Sequence, residues 1–589
     1  MDLFSLATTN AAGSLPPAQQ VFALPELRTA VPPPDGVDER AWRAAFLVPP
    51  MLTTLRLLPP PTPDAADPGP AAALAEVLAL AARAGVTVGT MDACGLEDCV
   101  VLHAPAEIQR FFAGQPLPVP LDAATVVVDA ACGEAVLRGA DVFAPGVVAC
   151  TRHFDRGDPV IVAALVAPEW RTAVAAAADA SGGNNAHQVL KGSFATVDTV
   201  SRSCVVVGAG VALLSRTECI SPKARGVALR VNGANPMRHL PLSDGPDAYL
   251  PSVLPASGYR VFLQNWSSLV PVACLRLRPG TAHAVWDVCA APGGKTSHVL
   301  SRLGRDAVAC RVVCTERSAP RGAALRKFLL GLHSAAVVAR VTVLHADANA
   351  LRLDGGDTAG SSVASDDAAL DALIAVARDA TKRPREDDVL LRDFCSGAAA
   401  QARFDRILLD PPCTGLGLRP RLRPHNHTAE AVAGSADYQR RLLRSAWQRL
   451  ADGGVLVYST CTLSVAENEA TVEWAMDNLP RARVAAATSP EELKLAALAA
   501  RGGHALRPLS HWAKWTEPGP VPETPLVMRF GPAHHVVTAL RRTATVPVFG
   551  SYDASVPDGV GFFVAVLTKM AAYFLFTGLR FLASVLPLI

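Results

Sequence analysis

Residues 283–297 read HAVWDVCAAPGGKTS, an apolar run that breaks into a turn of small residues with two adjacent glycines. The run fits a buried strand, and TSHVLSRLG (296–304) then takes up a helical rhythm. Strand, glycine turn and helix form the opening unit of a doubly wound parallel sheet. There the backbone can approach a ligand closely and the helix N-terminus favours negative charge. Four further runs, ACRVVCTE (309–316), ARVTVLHAD (339–347), FDRILLD (404–410) and GGVLVYST (453–460), are apolar, β-branched and end in polar or Gly-rich turns. Helical stretches such as RGAALRKFLLGL (321–332) lie between them. Alternating β and α over this length predicts an α/β, Rossmann-like sheet that binds ligands at its strand C-ends.

The turn itself, Cys289, Ala290, Ala291, Pro292, Gly293, Gly294 and Lys295, invites a rival reading as a phosphate loop, GxxxxGK[ST]. Gly294, Lys295 and Thr296 fit the end of that motif, but Cys289 stands where its first glycine is required, so a nucleotide hydrolase is disfavoured. The second strand ends at Glu316, about 20 residues past the glycines, where an acid accepts hydrogen bonds from ribose hydroxyls. The third ends at Asp347, suited to an adenine amino group or the remaining ribose face. Either acid alone reads as a solvated loop residue. In step with the glycine turn they point to an adenosine-bearing cofactor. With no complete phosphate cradle, S-adenosylmethionine fits better than NAD or ATP.

The fourth strand ends in LLDPPCTGLG (408–417). An acidic Pro-Pro turn there resembles the [DN]PP[YFW] turn of amino-methyltransferases, but Cys413 occupies the position of the base-stacking aromatic. A thiol cannot stack a base. A second cysteine, Cys461, follows the fifth strand in VLVYSTCT. The pair could be a disulfide, a metal site or two thiols sharing a reaction. Carbon 5 of a pyrimidine is a poor nucleophile until a thiolate adds at carbon 6, which makes carbon 5 enamine-like. Asp410 could then engage ring N3, the second thiol could assist product release, and Lys295 could supply positive surroundings for both.

Composition bounds the rest. At 589 residues, half of them apolar, the chain should hold several domains. A net charge of +2 gives no global argument for a polyanionic partner, so nucleic acid would be held by local patches. Thirteen cysteines without a CxxC support neither a zinc knuckle nor a disulfide framework, and no metal site is expected. MDLFSLATTNAAGS has no basic n-region, so a cytoplasmic protein is expected, with KRPR (382–385) a weak nuclear signal. Residues 570–589 are apolar but for Arg580. A mid-span arginine costs roughly 2.5–3.5 kcal/mol on insertion, so a packed helix or extension is expected there rather than a membrane anchor.

Along the chain, an N-terminal segment (1–120) contains a Pro-rich linker and a helix in AAALAEVLALAARAG (71–85). Short β-type runs over 121–223 predict a small β-barrel or sandwich, broken by a soft stretch at about 170–190. The catalytic domain is expected over 224–568, interrupted at 351–403 by a polar, mixed-charge and flexible insert.

DVCAAPGGKTSHVL (287–300), FDRILLDPPCTGLGLRP (404–420) and GGVLVYSTCTLSVAENEATVEWAM (453–476) resemble the signature motifs of the Sun family of RNA cytosine-5 methyltransferases. The resemblance runs from about Phe262 to GFFVA (561–565), apart from the insert. It implies that Cys461 is the nucleophile, that Cys413 assists release, and that Cys289–Lys295, Glu316, Asp347 and Asp410 hold S-adenosylmethionine. The family usually has Asp at the position of Glu316 and Ala at that of Pro411, where proline removes an N–H. Upstream, CGEAVLRGADVFAPGVV (132–148) resembles the PUA module that a tRNA-modifying branch of the family carries inserted in its N-terminal region. PPMLTTLRL (49–57) and VFLQNWSSLV (261–270) resemble the segments flanking that insertion.

This branch implies a tRNA with an unpaired 3′ CCA end and methylation of a nearby acceptor-stem cytosine, by an enzyme expected to be monomeric. Arg138 falls on an RNA-contacting position of the family. Phe143 could stack a base or fill the barrel core. Arg419 and Arg421, in RPRLR (419–423), would suit phosphates or simply form a solvated basic loop. A catalytically retired PUA-type RNA-binding protein and an amino-methyltransferase are the alternatives.

Overall fold

The computed structural model describes residues 52–60, 68–83, 88–91, 96–103, 119–120, 122–166, 193–197, 200, 203–221, 223–231, 252–278, 281, 283–304, 310–351, 368, 371–372, 374–375, 402–422, 428–501, 516, 524–530 and 562–570. The expectations for residues 1–51, the soft stretch at 170–190, most of the 351–403 insert and the apolar tail beyond Met570 lie outside the described residues. Among those described, no helix is long and apolar enough to cross a membrane.

The described residues build three sheets. The first opens with β1 (Leu52–Leu58), α1 (Pro70–Arg83), β2 (Val88–Met91) and β3 (Leu96–His103). The chain then leaves for a second sheet, made of β4 (Ala124–Val128), β5 (Val142–Phe143), β6 (Val147–Cys150), β7 (Pro159–Leu165), β8 (Ser193–Phe194), β9 (Cys204–Ala212) and β10 (Val227–Val231). It returns to the first with β11 (Ser252–Val253) and β12 (Arg260–Leu263), which completes the order β11-β12-β1-β3-β2. Alternation sorts the faces of this first sheet. Leu55, Leu57, Val100, Leu102 and Val261 pack on Ala73, Val77 and Leu80 of α1. Thr54 and Arg56 are buried as well, and face the catalytic domain through Gln264 and, for Arg56, Ser297.

The second sheet has the order β5-β10-β9-β7-β4-β6-β8 and carries α2 (Ala130–Leu137), whose N-terminus is capped by the Asp129 side chain accepting from Cys132 N at 2.8 Å. These strands correct two expected boundaries. The β domain does not end at 223, because Leu229–Val231 pair with Ala212–Gly210. Residues 252–263 belong to the first sheet rather than to the catalytic domain, because Leu55–Leu58 pair with Leu263–Arg260. Both pairings are long-range and leave no local mark in the sequence.

The third sheet holds β13 (Ala284–Asp287), β14 (Arg311–Glu316), β15 (Val341–His345), β16 (Phe404–Leu409), β17 (Leu450–Thr460), β18 (Ala482–Val484), β19 (Val527–Phe530) and β20 (Phe562–Lys569). Its order is β15-β14-β13-β16-β17-β20-β18, with β19 also on β20. The first five strands are parallel and coincide with the five apolar runs, while β20 runs antiparallel to β17. Helices cover both faces. α3 (Gly294–Leu303) and α4 (Ala319–Leu332) pack on Val285, Val312, Cys314 and Leu408, and α5 (Ala429–Gln448) and α6 (Glu469–Asn478) on Trp286, Ile407, Leu456 and Tyr458. The chain order reverses between β13 and β16, so this fold's ligand crevice opens above their C-terminal ends.

Candidate active site

That crevice is a cleft of about 650 Å³ whose lining includes Cys289, Glu316, Asp347, Asp410, Cys413 and Cys461. It adjoins a smaller one of about 260 Å³ between Phe262–Asn265 and the Cys289–Lys295 turn. The two share Cys289, Ala291 and Asp410.

The turn is shaped by Gly293, which has φ +114° and lies so close to α4 that an added Cβ would stand 2.5 Å from Leu325 Cδ1. No L side chain fits there without strain. Lys295, in the first turn of α3, donates to Asp410 Oδ2 at 2.7 Å, and Ser459 Oγ donates to Oδ1 at 2.9 Å. The Pro-Pro turn is therefore tied to the glycine turn on one side and to β17 on the other. At the end of β13, Asp287 accepts from Thr296 Oγ1 at 2.7 Å, and burial pushes its carboxyl up to about 7. Burial also holds the Cys289 thiol well above the usual range, so this cysteine is a protonated wall residue.

The two cysteines of interest meet here, with Cys413 Sγ 3.3 Å from Cys461 Sγ. That separation is a hydrogen-bonding contact between two sulfurs, well beyond a disulfide bond. Among the described residues every cysteine is free and no group of side chains could hold a metal ion. The thiols are unequal. The hydrogen bond from Cys413 pulls Cys461 down, against burial and with help from Lys295. The same bond, together with burial, pushes Cys413 well up. Of the two thiols, Cys461 is therefore the more readily ionised and Cys413 the one that more strongly keeps its proton.

A buried carboxylate braces the Cys413 turn. Glu467 accepts from Thr414 N at 3.0 Å, from Thr414 Oγ1 at 2.5 Å and from Gln439 Nε2 at 2.8 Å, and Gln439 also donates to Pro412 O at 3.0 Å. Tyr458 OH closes the network on Glu467 O at 2.6 Å. Glu469, two residues on, is fixed by a buried pair with Arg529.

The residues fit an adenosine-bearing cofactor with an amino-acid end. Glu316 Oε1 is engaged by Ser318 N and Arg321, leaving Oε2 for ribose hydroxyls, and Asp347, past the end of the neighbouring strand, lines the same cleft. Gln264 is buried. Its Oε1 is held by Arg56 Nε at 2.9 Å and its Nε2 has no partner, although it lines the smaller cleft beside Gly294. An orphan donor at that place suits a carboxylate. Sequence reading missed Gln264, although it stands in the quoted VFLQNWSSLV, and missed Asp287 and Glu467, which stand in quoted motifs too. Tyr438, on α5 in the lining, had no sequence signal.

Of the RNA-facing candidates, Phe143 is 54 % exposed, which removes it from the barrel core and leaves a face open for stacking. The Arg138 side chain is half exposed and donates to Pro420 O at 3.2 Å. Arg421 donates to Gly415 O. Arg419 corrects the sequence reading. It is 2 % exposed, so it is neither on a solvated loop nor placed to meet a phosphate.

Comparison with known proteins agrees with this architecture. Residues 384–511 match the family described as 16S rRNA methyltransferase RsmB/F, and residues 124–177 match the PUA domain. The rRNA (cytosine-C(5))-methyltransferase NOP2C of Arabidopsis thaliana is 28 % identical over 467 residues, covering 70 % of this chain and 71 % of that protein. The tRNA (cytosine(72)-C(5))-methyltransferase NSUN6 of Mus musculus is 31 % identical over 361 residues, covering 60 % of this chain and 59 % of that protein. The crystal structure of NSun6 from Pyrococcus horikoshii with SFG superposes with a TM-score of 0.52 at 19 % identity, over 90 % of this chain and 94 % of that one, which shows a shared fold. With its signature motifs gathered round one cleft and its inserted PUA domain, the chain is similar in sequence and in fold to these RNA cytosine-5 methyltransferases.

Proposed function

We propose that this protein methylates carbon 5 of a cytosine in the acceptor stem of tRNA, near the unpaired 3′ CCA end. The observation that carries the chemistry is the Cys413–Cys461 pair, 3.3 Å apart in the lining of the cofactor cleft, with Cys461 the more readily ionised. The tRNA substrate is supported by the inserted PUA domain and by the likeness to NSUN6.

Glu316 and Asp347 would hold the adenosine end of the cofactor, and the Cys289–Lys295 turn with Gln264 its amino-acid end. When bound, S-adenosylmethionine supplies an electrophilic sulfonium methyl group. The Cys461 thiolate adds to carbon 6 of the cytosine, forming an S–C6 bond while the C5=C6 electrons move to carbon 5. Asp410, positioned by Lys295 and Ser459, would hydrogen-bond to ring N3 and stabilise the adduct. Carbon 5 then takes the methyl group as its bond to the sulfonium sulfur breaks, which would leave S-adenosylhomocysteine as the departing thioether. Cys413 removes the carbon 5 proton, the S–C6 bond breaks and Cys461 leaves as a thiolate. Sharing one proton suits this order of events. While Cys461 is charged, Cys413 keeps its proton. Once Cys461 is a neutral thioether the contact that raises Cys413 most is gone, and Cys413 can more readily lose its proton to solvent and serve as the base.

Incubation with S-adenosylmethionine and tRNA, followed by bisulfite sequencing, should show a new 5-methylcytosine in the acceptor stem. A parallel arm with rRNA tests a second reading, favoured by the longer match to NOP2C. New methylation on rRNA alone would replace the tRNA assignment, and none on any RNA would remove the enzymatic one.

A further inference from the structure

The turn that carries Cys413 is held by the PUA domain as well as by the catalytic domain. Leu422, nine residues after Cys413 in the chain, is 1 % exposed and packs in the PUA core with Val126, Val136 and Val162. Gly133 of α2 makes room for it, since a Cβ there would lie 3.0 Å from Leu422 Cδ1 and 2.3 Å from Ala164 Cβ. The buried Glu134, next on α2, accepts from Leu422 N at 2.9 Å. One turn on, Arg138 lies 3.7 Å from Glu134 and donates to Pro420 O. Between these two grips, Arg421 reaches back to the carbonyl of Gly415, whose φ of +62° turns the chain two residues past Cys413. Gly417 N donates to Cys461 O at 3.1 Å, so the turn ends against the nucleophile's own backbone.

We propose that Glu134 and Leu422 are positioning residues for Cys413: the PUA domain sets the geometry of the thiol that resolves the covalent RNA adduct, beyond any grip on RNA. The proposal rests on the two-cysteine reading above. Cys461 ends a central strand, β17, and needs no such support. Cys413 lies on a loop between β16 and α5, braced by Glu467 on one side and by the PUA contacts on the other. Neither Glu134 nor Leu422 touches a reacting atom, so their loss should act on one step. A misplacement of about 1 Å can cost a reacting group up to about 100-fold in rate. Adduct formation by Cys461 should persist while its resolution slows by roughly ten- to 100-fold.

The experiment uses the full chain, tRNA and S-adenosylmethionine, and compares wild type with Glu134→Ala, Glu134→Gln and Leu422→Ala. Turnover, tRNA affinity, melting temperature and the fraction of protein trapped with RNA on denaturing gels are read for each. Glu134→Ala and Leu422→Ala should accumulate trapped adduct and turn over slowly while still binding tRNA. Glu134→Gln keeps an acceptor for the Leu422 N–H and should recover most of the rate. A purely structural role would lower turnover in step with the folded fraction, without trapped adduct, and that result would overturn the proposal. So would adduct resolution at the wild-type rate in Glu134→Ala, which removes no core packing if Leu422→Ala fails to fold. Failure of wild type to methylate any RNA is seen before the variants are compared, and brings down the underlying reading with it.

Discussion

A buried amide nitrogen without a partner costs about 1–3 kcal/mol, and Gln264 Nε2 carries that cost at the edge of the cofactor cleft. The cost is recovered if the cofactor's carboxylate accepts from it. Gln264→Glu keeps the acceptor for Arg56 but exchanges this donor for an anion. The KM for S-adenosylmethionine should therefore rise by roughly 10- to 150-fold, the worth of a hydrogen bond to a charged group, and kcat should fall less. An unchanged KM would free Gln264 from the cofactor. Gly293 makes a stability prediction. With φ +114° and Leu325 2.5 Å from any Cβ, Gly293→Ala should destabilise the catalytic domain by at least about 2 kcal/mol, read as a lower melting temperature. The glycine turn was legible in the sequence because its pattern is local. Gln264 was not, because an orphan donor is defined by what surrounds it, and Arg419 was misread because burial at a seam between domains has no sequence signature.

Among the elements, the Cys413 turn depends on one carboxylate with three donors on two oxygens. Glu467→Gln would turn an amide NH₂ toward a donor that needs an acceptor. The expected result is a loss of about 1–3 kcal/mol in stability together with a fall in turnover that leaves tRNA affinity unchanged. Wild-type turnover in this variant would show that the brace does not serve Cys413. The five parallel strands were readable as β-branched runs at regular intervals. β20 was not recognised as a strand, since its place between β17 and β18 is decided by antiparallel pairing from beyond the 531–561 stretch. The same physics hid β10, which pairs with β5 as well as with β9, and β12, which pairs with β1.

At the scale of the whole molecule, the first sheet grips α3 through buried polar groups. Arg56, fully buried, donates to Ser297 Oγ at 2.6 Å and Ser301 Oγ at 2.7 Å. His298 of α3 lies 3.0 Å from Asp98 of β3. Burial lowers His298 to about 4 and His333 to about 3, and the contacts with His298 and Arg302 hold Asp98 well below the usual carboxylate range. For each of these groups the unfolded chain binds more protons than the folded one in acid. The histidines' contribution is full above about 6.5 and is lost as pH falls through about 4, while that of Asp98 is lost only in stronger acid, below the ordinary carboxylate range. Asp287, raised to about 7, works in the opposite sense, favouring the folded state in acid and losing that contribution as pH rises through 7. In this window two histidines outweigh one carboxyl, so the melting temperature should fall between pH 7 and pH 4.5, and by less in His298→Asn. A flat profile would mean that the seam titrates as it does in the unfolded chain.

The central claim is that Cys461 attacks and Cys413 releases. Cys461→Ala and Cys413→Ala enzymes, each incubated with tRNA and S-adenosylmethionine and run on denaturing gels, test it directly. Cys461→Ala should give neither methylation nor a protein–RNA band. Cys413→Ala should give a persistent band with little free product. Turnover by Cys461→Ala, or a trapped band from that variant instead of from Cys413→Ala, would contradict the assignment.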